Sequence, residues 1–284
     1  MRRSYAVGAG LCFIGALTCA PPVPAQTTLG ADVGLFNAYV WRGITYTNKF
    51  VVQPDIYLTV PVGKASLAVG GWGNIEPGSY NSAEAISENG TDGAGLAEFN
   101  WWGEVGFPAG PKTSLTAGVL GYVFPNDDGF TSEANTVEVY AKAAFDVLLA
   151  PKIAMWYDID KIKGAYFEGS VSHNFAASEK VTLRLGALAG FSAGQEVSDN
   201  LDESANFIDD GFTHIDLSAA APFSAGPLSI TPAVHFVVTG DEITKVTKFN
   251  ETTGLPNRKD AKVWFGATIG WSRGFGAEPE TPSE

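Results

Sequence analysis

Residues 39–46 read YVWRGITY, and the seven before them, 32–38, read DVGLFNA. One cation, Arg42, sits among tyrosine, valine, tryptophan and isoleucine. An arginine does not stay unpaired in apolar surroundings, so it must meet either an acid or water. The residues alternate around it. Asp32, Gly34, Phe36 and Ala38 share the parity of Arg42, while Tyr39 and Trp41 share the other. Alternation with period two is the mark of a strand with two unlike faces. Read as one strand over 31–43, the stretch places Arg42 on a wet face and Tyr39 and Trp41 on an apolar one.

The same alternation recurs along the chain, and no long helical pattern interrupts it. About twelve segments are read: 31–43, 50–61, 64–75, 97–108, 112–124, 136–149, 152–160, 164–175, 180–191, 212–223, 228–239 and 261–275. Their connections sort by length. Val62-Gly63, Ala109-Gly110-Pro111, Ala150-Pro151, Ala176-Ala177-Ser178-Glu179 and Ser224-Ala225-Gly226-Pro227 are tight. The others are mostly long and acidic, as in PGSYNSAEAISENGTDGAGLA, PNDDGFTSEAN, SAGQEVSDNLDESANFIDDG and GDEITKVTKFNETTGLPNRKD. An even strand number, with tight turns at one end and long loops at the other, describes a transmembrane antiparallel β-barrel of the outer membrane. The tight turns belong to the periplasm and the long loops to the cell exterior. A soluble sandwich also alternates, but has no reason to sort its connections in this way.

In a soluble protein the apolar face of each strand points inward; in a lipid-embedded barrel the faces invert and the charged one lines the interior. Aromatic residues support inversion. Tyr39, Trp41, Phe99, Trp101, Tyr157 and Phe167 lie on the apolar parity near the outer ends, and Phe107, Phe145, Phe175, Phe223 and Trp271 near the periplasmic ends, as two interfacial girdles. The inward parity then supplies the pore-lining candidates Arg42, Asp55, Trp72, Glu98, Glu104, Glu138, Lys142, Asp158, Glu168, Arg184, His214, Asp216, His235 and Lys262, with Asp32, Asp146 and Asp160 as further acids. Acids exceed bases, which predicts an interior that favours cations. Arg42 lies near the mouth, with Glu98 as one candidate partner. The plainer reading makes many of these groups cross-strand ion pairs that merely fill a small barrel.

The N-terminus adds localisation. Arg2 and Arg3, the apolar run AVGAGLCFIGAL and a proline-broken segment ending Val23-Pro24-Ala25 have the order of an export signal, so residues 1–25 are expected to be a signal peptide, 26–275 the barrel and 276–284 a polar tail. Both cysteines, Cys12 and Cys19, fall in this leader, which excludes disulfides and thiol chemistry from the mature chain. Without Arg2 and Arg3 the chain carries 16 basic residues against 31 acidic ones, a net charge of −15, which excludes nucleic acid as a partner. No cofactor is expected. The loop acids Asn126-Asp127-Asp128-Gly129 and Asp199-Asn200-Leu201-Asp202 lack the fuller spacing of a calcium loop.

AYVWRGITYTNKFVVQPDI, followed by GGWGNIE, resembles the start of the TorF-type putative porins. Trp41, Arg42, Gly43, Ile44 and Thr45 match that family's aromatic-Arg-Gly-Ile/Val-Ser/Thr motif, Trp72, Gly73 and Asn74 match its Trp-Gly-Ser/Asn motif, and Phe212–Leu217 is similar to a later strand. The resemblance implies an outer-membrane barrel that passes small solutes. One departure is the extension GAEPETPSE after Phe275, where such barrels usually end on an aromatic residue.

The expected function is an outer-membrane porin for passive diffusion of small solutes, with membrane lipid as its surroundings. Two alternatives stand beside it: a closed barrel that acts as a scaffold for periplasmic partners, and an outer-membrane hydrolase. Hydrolysis would draw on His214 and Asp216 with Asp209 or Asp210, or on His173 beside Ser172. A spacing of two puts His214 and Asp216 on one face, but such a pair is more often a hydrogen bond than a catalyst. The neighbours of His173 point inward and form no local dyad, so the chain is not expected to be an enzyme.

Overall fold

The computed structural model describes residues 26–78, 94–125, 135–178, 181–195, 207, 210–240 and 261–276. The expected signal peptide, most of the C-terminal tail, Asp209 and the loop acids at 126–129 and 199–202 lie outside the described residues.

The strands are β1 (Thr27–Phe36), β2 (Tyr39–Trp41), β3 (Ile44–Thr47), β4 (Val51–Val62), β5 (Ala65–Glu76), β6 (Gly95–Pro108), β7 (Thr113–Val123), β8 (Thr136–Phe145), β9 (Lys152–Asp158), β10 (Ala165–Ala176), β11 (Thr182–Ala193), β12 (Gly211–Ala220), β13 (Phe223–Ala225), β14 (Leu228–Thr239) and β15 (Ala261–Phe275). Twelve of them close into one antiparallel barrel. From β1 the wall passes through β4, β5 and so on to β12, then β14 and β15, and β15 pairs back onto β1 from Thr27↔Phe275 to Phe36↔Gly266. The short β13 folds back on β14, while β2 and β3 form a separate hairpin. Closure leaves no sheet edge to satisfy, which is what a membrane demands of strands.

The faces are inverted relative to a soluble protein. Along β14, Leu228, Ile230, Val234, Phe236 and Val238 are exposed, while His235 and Val237 are buried. Ile56, Leu58, Leu67, Val69, Ile153, Leu217 and Phe265 repeat the pattern around the barrel. An exposed apolar surface this continuous has lipid as its natural solvent. Trp101, Tyr157 and Phe167 face outward near one rim and Phe107, Phe175 and Phe223 near the other, in the positions of the expected girdles. The rim with tight turns also holds Thr27 opposite Phe275; we call it the turn rim, and its opposite the loop rim.

Two strand readings are corrected. The run 31–43 is not one strand: β1 ends at Phe36, and the chain leaves the wall as the β2–β3 hairpin. Tyr39 and Trp41 are therefore not girdle residues on the lipid face; they are 2 % and 6 % exposed inside the barrel. The run 136–149 also stops early, at Phe145. Leu149 and Ala150 take positive φ (66° and 36°), and Ala150 N–H donates to the Val147 carbonyl at 2.9 Å, closing a turn. Asp146 sits exposed in that turn rather than facing inward, and Asp160 is likewise exposed in the turn after β9.

Candidate functional site: the barrel interior

The hairpin decides what the interior is. Trp41 pairs with Ile44, so Arg42 and Gly43 form a two-residue turn, with φ of 48° and 85°. Positive φ at both positions is the type I′ geometry, whose twist matches the two strands. Gly43 is required twice: for its φ, and because a Cβ there would lie 2.7 Å from His214 Cβ. The turn thus reaches across the lumen from the β1–β4 wall to β12. Nothing in a period-two pattern marks this inward fold. The available signal is an x-Gly pair between aromatic and β-branched residues.

Arg42 is paired, not free. Its Nη1 and Nη2 donate to Oε1 and Oε2 of Glu138, both at 2.7 Å, and the Tyr122 hydroxyl donates to the same carboxylate at 2.9 Å. The guanidinium also lies 4.3 Å from the ring centroids of Trp41 and Tyr166 and 5.4 Å from that of Trp156. Both residues are buried, so each charge depends on the other for its stability. Glu98, the partner considered from sequence, instead accepts from the Tyr39 hydroxyl at 2.9 Å and from Asn100 Nδ2 at 2.8 Å. Thr47, at the base of the hairpin, donates to Glu76 Oε1 at 2.6 Å, and Lys262 donates to Asn48. Rings of the hairpin complete the fill, with Tyr39 at 5.6 Å from Trp72 and Trp41 edge-on to Tyr122 at 6.2 Å.

The other candidates occupy the same interior in distinct ways. Asp55 and Trp72 are buried on β4 and β5. Glu104 accepts from the Tyr140 hydroxyl at 2.8 Å and lies 3.5 Å from Lys142 Nζ. Glu168 accepts from the Tyr166 hydroxyl at 3.2 Å. Asp158 is spent on structure: it accepts from Thr136 Oγ1 at 2.6 Å and from the backbone N–H groups of Asp160 and Ile162, both at 3.0 Å, capping the turn after β9. Arg184 donates to Asn174 Oδ1 at 3.1 Å. His214 pairs with its neighbour Thr213 at 3.0 Å rather than with Asp216. Asp216 instead meets His235 Nδ1 at 2.9 Å, and the His235 ring stacks on Trp264 at 3.7 Å. Residues that parity reasoning left out are Glu76 and Lys152, both buried and inward at strand ends, and the inward rings Trp102, Tyr122, Trp156, Tyr166 and Trp264.

The filling is lopsided. Inward positions from β4 to the start of β10 carry large rings, including Tyr57, Trp72, Trp102, Tyr140, Trp156 and Tyr166. From the middle of β10 round to β15 they are mostly small: Ser170, Ser172, Gly186, Ser218, Ala220, Thr231, Ala233 and Thr268. A cavity of about 120 Å³ lies against that second wall, below the seated hairpin.

Solved structures share this architecture. An outer-membrane channel from Pseudomonas putida F1 superposes with a TM-score of 0.53 at 11% identity, covering 88% of this chain and 96% of that one. The translocator domain of the autotransporter NalP from Neisseria meningitidis gives 0.46 at 8% identity, covering 89% and 90%, and the CymD monoaromatic hydrocarbon channel gives 0.44 at 8% identity, covering 89% and 90%. At these identities the likeness concerns the fold, and only the first is close enough to support an argument. No curated protein matches the sequence. A family model does match, over residues 21–209, more than half of the chain: the protein belongs to Gcw_chp, a family of bacterial proteins of unknown function.

Proposed function

We propose that the protein is a narrow outer-membrane channel for small solutes, with a preference for cations, and that the β2–β3 hairpin is its constriction. The observation that carries this reading is the lopsided interior. Among the described residues, the small-residue wall from β10 to β15 leaves space along the barrel, while the hairpin is held across the lumen by apolar packing of Tyr39, Val40, Trp41 and Ile44 together with the Arg42–Glu138 pair. Lipid as the outer solvent follows from the exposed apolar belt, and the turn rim is assigned to the periplasm by connection length. The resemblance to TorF-type porins points the same way.

Cation preference follows from the charges inside. Asp32, Asp55, Glu76, Glu98, Glu104, Glu138, Asp158, Glu168 and Asp216 face inward against Arg42, Lys142, Lys152, Arg184 and Lys262. Low-dielectric walls focus such an excess, and salt screens it. Reversal potentials of the purified barrel in a planar bilayer, across a potassium chloride gradient, test the reading. The expected sign is that of cation flow, with a preference that fades as salt rises; anion preference would overturn it. A second reading draws on the same hairpin: a permanently closed barrel that serves as a scaffold for periplasmic partners. Zero conductance in both the native chain and an Arg42→Ala variant would decide for the scaffold.

A further inference from the structure

We infer that the cavity beneath the hairpin is a binding site for a small zwitterion of the α-amino acid class. The inference deepens the channel reading, on which it rests for the solute's access. Four lining residues define the chemistry. Arg184 stands at the turn-rim end with only the neutral amide of Asn174 as its hydrogen-bond partner, and it makes no ion pair among the described residues. Asp216 and His235 stand toward the hairpin, joined through Nδ1 at 2.9 Å, which leaves the other imidazole nitrogen and further carboxylate lone pairs for a ligand. Trp264, fully buried against the stacked His235, has an indole N–H with no hydrogen-bond partner among the described residues. An orphaned buried donor is costly, but this one is sealed from the cavity, so a ligand oxygen reaches it only if the ring shifts.

Register sets the spacing. Arg184 is level with Ala220, and Ala220 with Ala233; His235 lies two residues further along β14. Two strand-to-strand steps and two residues of rise put roughly 12 Å of wall between the Arg184 and His235 backbones. Gly186, Ala220 and Ala233 supply no bulk between them, so the space is bounded by a guanidinium at one end and an acid–imidazole pair at the other. A carboxylate fits the first and an ammonium the second. An engineered cavity of about 150 Å³ accepts benzene, so a void of about 120 Å³ suits a ligand of similar or smaller size. Alanine, with a zwitterion's zero net charge, meets the size and both ends. It also escapes the repulsion that the acidic interior imposes on a simple carboxylate.

The test is calorimetric titration of the detergent-solubilised full chain with L-alanine, propionate and ethylamine at equal ionic strength, alongside potassium chloride conductance of the same preparation. Alanine should bind at least about tenfold more tightly than either single-charge analogue, since each of those forfeits a charge-assisted contact. Arg184→Gln should weaken alanine by about tenfold and leave ethylamine unchanged. Ala233→Leu, which fills the void while keeping every charge, should abolish binding in a barrel that still shows heat-modifiable migration on a gel. Equal binding of all three solutes, absence of alanine binding, or an Arg184→Gln variant that binds alanine normally would each overturn the site. Conductance without alanine binding sinks this inference alone. Alanine binding with no conductance in either the native chain or Arg42→Ala sinks the channel reading and leaves the site standing.

Discussion

Replacing Arg42 with alanine should unseat the hairpin. The change isolates the side chain: alanine keeps a Cβ, so the positive φ at that position costs the same in both proteins. What is lost is a bidentate ion pair at 2.7 Å and two close ring contacts, and what remains is Glu138, 1 % exposed, with only Tyr122 to solvate it. Removing one member of a buried pair costs about 3–5 kcal/mol. The surviving Tyr122 bond argues for the lower end, about 3 kcal/mol, or a shift of about two orders of magnitude between seated and unseated hairpin. Single-channel recording reads this as open probability: rare openings in the native barrel, and frequent or continuous conduction in Arg42→Ala. A paired control separates the lost lock from general damage. Arg42→Met with Glu138→Leu removes both charges and keeps apolar bulk, so it should close again, because a buried pair is often replaceable by hydrophobic residues at little cost. The reasoning fails if Arg42→Ala conducts as the native chain does, or if the double variant stays as open as the single one.

Three further outcomes follow from the same geometry. Gly43→Val adds a side chain at φ 85°, where its Cβ would lie 2.7 Å from His214 Cβ, and should cost the seated hairpin about 1–3 kcal/mol, read as raised open probability with an unchanged far-UV spectrum. Leu217→Lys, on the lipid face at mid-strand, should lower barrel stability in urea titrations in lipid vesicles by about 2–4 kcal/mol, whereas the neighbouring lumenal Ser218→Lys should leave stability near native and change selectivity. A cysteine at Lys161, exposed at the loop rim, should react with an impermeant maleimide on intact cells, and one at Gly110, in a turn-rim connection, should not; the reverse pattern would invert the proposed orientation.

Much of the wall was legible because a barrel strand writes its two solvents into alternate residues. Segments 50–61, 64–75, 228–239 and 261–275 agree with β4, β5, β14 and β15 to within one residue. The interior was harder. Alternation states that Arg42 and Trp41 point to opposite sides of their own strand, but not that the strand has left the sheet, so Trp41 was assigned to lipid when it packs on Tyr122. The partner of Arg42 lies 96 residues away, on a strand that only ring closure brings opposite the hairpin. Asp158 illustrates a further limit. Its parity is inward, yet its oxygens are consumed by the next turn, a use that depends on where β9 ends. His235 and Asp216 were both placed inside, but their pairing required the register between β12 and β14.

Phe36 and Val51 face each other directly across β1 and β4, the last and first residues of those strands. Apart from Asn37, whose backbone N–H donates to the Phe265 carbonyl and whose Oδ1 accepts from Phe265 N–H, the wall is therefore complete without the residues up to 50, which enter and leave it at a single point, like a cassette inserted into an unbroken text. Joining Phe36 to Val51 through a short turn would preserve the β1–β4 register and yield a barrel without its inward hairpin. Insertions, deletions or exchanges confined to this cassette alter what obstructs the lumen while the membrane-facing structure inherits no change.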